Sequence, residues 1–130
     1  MTSEPLVWVT AAIQIVTAIG IVAFWATWFR QPHDEPWLPA GYEEHERVFV
    51  FPDSVCATLL VASAVLAVLE QSWGDTLGLV AAGMLLFLGI IDGAYYAEHG
   101  LYARRRDGLL NAGIVIAVLV VAVLQVVTYH

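Results

Sequence analysis

Residues 77–98 read LGLVAAGMLLFLGIIDGAYYAE, with no charged side chain before Asp92 and none between it and Glu98. An apolar run of about 18 or more residues marks a helix that crosses a bilayer, because only a helix or a closed barrel satisfies its backbone polar groups where water is absent. At 1.5 Å per residue these positions reach about 33 Å, enough for a hydrocarbon core of roughly 30 Å.

Working outward, three more blocks of the same kind occupy 6–29, 48–69 and 109–128. The pattern predicts an all-α integral membrane protein, an antiparallel bundle of four transmembrane helices, with 1–130 forming a single membrane domain. Outside the blocks lie a loop at 30–47, two shorter connectors and the ends. Composition agrees, since 60% of the residues are hydrophobic and 13% charged, against about 25% charged in soluble domains. The first block is read as a permanent helix and not a cleaved leader. Thr2, Ser3 and Glu4 supply no positive n-region, and the apolar stretch is too long for an h-region.

All five basic residues are arginines: Arg30 and Arg47 flank the long loop, and Arg104, Arg105 and Arg106 lie between the third and fourth blocks. Four spans put those two loops on one side, and arginine in short loops marks the cytoplasmic face. The sequence therefore predicts a multi-pass plasma-membrane protein with arginine-bearing loops in the cytoplasm and both termini outside. Trp8 near one edge, with Trp25 and Trp28 near the other, stands where an aromatic belt is expected.

Lipid supplies no hydrophobic drive for helix association, so small residues that allow close approach mark the contacts. Gly89, Gly93 and Ala97 form such a stripe in the third block; Gly113 and Ala117 do so in the fourth, and Ser63 and Ala67 in the second. Thr10, Gln14 and Thr17 share one face of the first block, suited to hydrogen bonds with another helix. The single cysteine, Cys56, excludes an intrachain disulfide.

Ionisable groups inside a bilayer cost about 2.5–3.5 kcal/mol on insertion scales and usually face the bundle interior. Asp92 lies past the middle of the third block toward the arginine side, and Asp53 sits about five residues into the second block. Because those blocks run in opposite directions, both carboxylates fall at a similar depth, roughly 8 Å from the midplane. If the two meet within a few ångströms in a dry site, they are not both cheaply ionised and one keeps its proton. Tyr95, Tyr96 and His99 follow Asp92 at offsets of three, four and seven, which places them on one helical face. Asn111 and Trp25 lie at comparable depth in the fourth and first blocks. Pro52 has no N–H, so it frees the carbonyl of Val48 if the helix runs through it; alternatively Pro52 starts the helix and Asp53 sits in its first turn, at the interface.

The long loop carries His33, Asp34, Glu35, Glu43, Glu44, His45 and Glu46 around Pro32, Pro36 and Pro39. The spacing matches no metal motif, so these acids are read as solvated, with no metal and no cofactor implied. A net charge of −7 disfavours nucleic acid as a partner.

No nucleophile elbow, phosphate-binding glycine loop, CxxC or HExxH pattern is present. In size and span number the chain resembles the small multidrug transporters, whose essential glutamate lies in the first span, where this chain has Gln14. Its layout of acids and aromatics is also similar to that of four-span sterol isomerase-like proteins. Three readings stand. The first is a module binding or moving a cationic or lipid-like amphiphile at Asp53, Asp92, Tyr95, Tyr96, His99, Asn111 and Trp25, with membrane lipid and a hydrophobic or cationic small molecule as partners. The second is a membrane enzyme on a lipid-like substrate, with Asp53 or Asp92 as acid or base. The third is an accessory subunit whose intramembrane polar groups pair with another membrane protein, whereas a homo-oligomeric bundle belongs to the first reading.

Overall fold

In a computed structural model the described residues are 4–34, 36, 38–98 and 108–130. Their regular structure is entirely helical: α1 (Glu4–Trp28), α2 (Tyr42–Arg47), α3 (Val50–Val68), α4 (Ser72–Glu98) and α5 (Gly108–Tyr129). Four helical stretches are long and apolar enough to cross a membrane: Pro5–Trp28, Tyr42–Val68, Ser72–Glu98 and Ala112–Tyr129. The chain is a multi-pass membrane protein folded as a four-helix bundle.

Side-chain distribution reflects the solvent. Val16, Ile19, Val22, Phe51, Phe87, Ile90, Val120 and Val127 point outward and exposed, whereas Thr10, Gln14, Ser63, Gln125 and Thr128 are fully buried. In water this arrangement would be inverted; in lipid, apolar side chains face the tails and polar ones find partners within the bundle.

The second span begins earlier than its apolar block suggests. Residues 42–47, expected in the loop, form α2, and α2 joins α3 with hardly a break. Val48 (φ −59°, ψ −30°) and Phe49 (φ −81°, ψ −7°) stay right-handed helical. Asp53 N–H donates to the Phe49 carbonyl at 2.9 Å, so helical bonding resumes one residue after the proline. The interruption has its cause in Pro52, which cannot donate to the carbonyl of Val48.

α1 packs on α3, α3 on α4 and α4 on α5, while α1 and α5 touch far less. The closest approach is between α3 and α4. A Cβ on Gly74 would collide with the backbone of Ala67, and one on Gly78 would meet Ser63 Oγ at 2.8 Å and run into the ring of Tyr129. Gly89 packs against Leu119 of α5. Gly113 faces open space and Ala97 and Ala117 are exposed, so the tight seam runs through Gly74, Gly78 and Ala82 and not through the whole expected stripe.

At the end away from Arg30 and Arg47 a buried hydrogen-bond network ties all four spans. Gln14 donates to Ser63 Oγ at 3.0 Å, Ser63 donates to the Gly74 carbonyl at 2.8 Å, and the Tyr129 hydroxyl donates to Gln14 Oε1 at 2.6 Å. Thr10 and Thr128 share a bond of 2.7 Å, and Gln125 donates to the Gly78 carbonyl at 2.7 Å. Among the described residues, the side-chain bonds that pin α1 to α5 lie at this end.

Candidate functional site

Toward the arginine-bearing end α1 and α5 part, and a cavity of about 350 Å³ lies between them, floored by α3 and α4. That volume is at the small end of the roughly 300–1,000 Å³ of small-molecule sites. Most of the wall is apolar, with Ile21, Leu85, Leu88, Val118 and Val121 among its residues. Its rim includes Val16 and Gly20 of α1 and Ile114 and Ala117 of α5, all exposed on the bundle surface, so the mouth faces the bilayer.

The polar groups of the cavity gather at the arginine-bearing end. Helical spacing delivers them: Leu85, Gly89, Asp92 and Tyr96 follow one face of α4, and Glu46, Phe49 and Asp53 follow one face of the α2–α3 rod. Among the described residues the wall thus carries three carboxylates, those of Glu46, Asp53 and Asp92, and no basic side chain. Glu46 feels the charge of both aspartates, and Asp92 that of Asp53. No group of three His, Cys, Asp or Glu among the described residues is placed to hold a metal ion.

Each acid has a different setting. The Trp25 indole N–H donates to Asp53 Oδ2 at 2.9 Å, linking α1 to α3. Tyr96 of α4 lines the cavity together with Glu46. Glu46 is only 3% exposed, and its Oε1 has no hydrogen-bond partner among the described residues. Asp92 is half-buried on the opposite wall.

The sequence-derived candidates divide accordingly. Trp25, Asp53, Asp92 and Tyr96 meet at this cavity. Tyr95 does not line it; its ring stacks on His45 at 3.8 Å between centroids and 9° between planes, bracing α2 against α4. His99 and Arg104 to Arg106 lie outside the described residues, as does the side chain of Asn111. Trp25 and Trp28, expected in an interfacial belt, are 7% exposed and belong to the interior. Trp28 stacks on His33 at 4.1 Å, and His33 Nε2 donates to the Trp28 carbonyl at 2.8 Å, folding the start of the loop back over the bundle.

Glu46 is the residue that sequence reasoning missed. It has the look of a solvated loop acid between Glu44 and Arg47, yet it is buried. The signal is its spacing: seven residues before Asp53, it falls on the same helical face once α2 and α3 are seen as one rod. Comparisons of the chain with protein-family models, with characterised proteins and with solved structures yield no match.

Proposed function

We propose that this protein binds, and on that basis moves or presents, a cationic amphiphile that enters from the bilayer between α1 and α5. The observation that carries the reading is the composition of one cavity: three carboxylates at one end, aromatic rings beside them, and an apolar remainder that opens toward lipid. A positive head group would neutralise acids that are expensive to keep charged in an apolar setting. The faces of Phe24, Trp25, Phe49 and Tyr96 add favourable contacts with a cation. A hydrocarbon tail would follow Ile21, Leu88 and Val118 and leave through the mouth.

With no group of three His, Cys, Asp or Glu among the described residues placed to hold a metal ion, the cavity favours an organic head group over a bare metal ion, which needs its ligands converging on one point. On the arginine distribution, the carboxylate end faces the cytoplasm of a plasma membrane. Cysteine labelling checks that orientation with little background, because Cys56 is fully buried. A cysteine placed at Glu43 should react from the cytoplasmic side, and one at Ser72 from outside.

The central test is Asp92→Asn in lipid nanodiscs. An alkylamine should raise the melting temperature of the native chain and leave that of the variant unmoved, while the variant without ligand melts no lower than the native chain. Equal stabilisation of both proteins, or none in the native chain, overturns the reading.

A further inference from the structure

Resting on the reading of this cavity as a cation site, we infer that the head group it takes is an ammonium carrying at least one N–H. That class covers protonated primary, secondary and tertiary amines, with Glu46 Oε1 as the acceptor, and excludes quaternary ammonium. Aromatic faces and net negative charge do not distinguish these classes, since both attract any organic cation. A buried acceptor without a donor does.

The distinction starts from helical spacing. Tyr42 to Val68 behaves as one rod with its bond interruption at Val48 and Phe49, so Glu46 projects from the same face as Asp53 into the cavity. Tyr96, one turn beyond Asp92, lines the same cavity from α4. Trp25 donates to Asp53 from α1. The Trp25 indole is therefore already engaged, and Glu46 Oε1 remains without a donor among the described residues. At 3% exposure, bulk solvent does not reach Glu46.

Leaving a charged or polar acceptor unsatisfied in such a place is costly, and native proteins pair nearly all of them. An N–H from the ligand supplies the missing donor, and a charge-assisted bond of this kind is stronger than a neutral one. A trimethylated nitrogen brings the same charge and a similar shape but only C–H groups, and it would cover Oε1 while leaving it unpaired.

The experiment compares octylamine, N,N-dimethyloctylamine and octyltrimethylammonium at neutral pH on the native chain in lipid nanodiscs, with isotherms corrected against empty discs. The first two should bind at least about tenfold more tightly than the third, the loss expected when a charged acceptor goes unpaired. In Glu46→Met that discrimination should shrink to within about threefold. Equal binding of all three to the native chain overturns the inference and leaves the cation site standing. The inference also falls if the dimethyl compound behaves like the trimethyl one, because size and not the N–H would then be selected. Binding of none of them overturns the cation site itself. The three-ligand comparison needs no variant, so a poorly folding Glu46→Met does not remove the test.

Discussion

The indole of Trp25 fixes one oxygen of Asp53 from a neighbouring helix, and this single bond illustrates how the site is built, with an acid on one span aimed by a residue on another. Trp25→Phe keeps an aromatic face beside the cavity and deletes the donor. Asp53 then loses its hydrogen bond from α1, and amine affinity should fall by about tenfold, or 1.4 kcal/mol, in nanodisc titrations. An affinity unchanged by this substitution would mean that Asp53 plays no part in binding. That Asp53 and Asp92 lie at a common depth is legible in the sequence, and both line the same cavity. The burial of Glu46 is not legible, because a glutamate flanked by Glu44 and Arg47 has the composition of a solvated loop, and only the continuation of helix through 42–47 turns it inward.

At the scale of elements, the turn between α3 and α4 shows local sequence yielding to packing. Glu70 adopts φ +60°, the left-handed region that glycine normally fills at a helix end. Gln71 N–H reaches the Leu66 carbonyl at 2.8 Å and Glu70 N–H the Ala67 carbonyl at 3.0 Å, a Schellman cap completed on a residue that resists it. Glu70→Gly should therefore stabilise the bundle by about 1 kcal/mol, read as a higher melting temperature with unchanged ligand binding. A lower melting temperature would show that Glu70 makes a compensating contact. The turn is held in this shape because α3 and α4 close immediately beyond it on Gly74, whose missing side chain allows the backbone of Ala67 to lie against it. The sequence displays small residues in several blocks, but which of them form the seam depends on helix rotation. Gly74 and Gly78 are buried there, whereas Gly113 faces open space.

For the whole molecule, the asymmetry between its two ends matters most. Polar bonds pin α1 to α5 at one end, and the sparse packing of these two helices elsewhere leaves the cavity open between them, the entrance proposed for the ligand. Gly20 stands on the rim of that opening with nothing near its Cβ position. Gly20→Phe should therefore obstruct the mouth without disturbing the fold, abolishing amine binding at an unchanged or slightly higher melting temperature, since glycine is a poor helix former. Full binding by this variant would place the entrance elsewhere. Sequence alone determined the four-span, all-helical architecture, because long uncharged runs have almost no alternative in a solvent that cannot satisfy backbone polar groups. It also singled out Asp53 and Asp92, since charge inside such a run is conspicuous. Tertiary structure decided that Glu46 joins them, that the Trp25 indole bonds to Asp53, that Tyr95 turns away, and that the cavity opens between α1 and α5. Those outcomes depend on the rotation and tilt of each helix about its own axis, which shape complementarity and interhelical hydrogen bonds set and hydropathy does not encode.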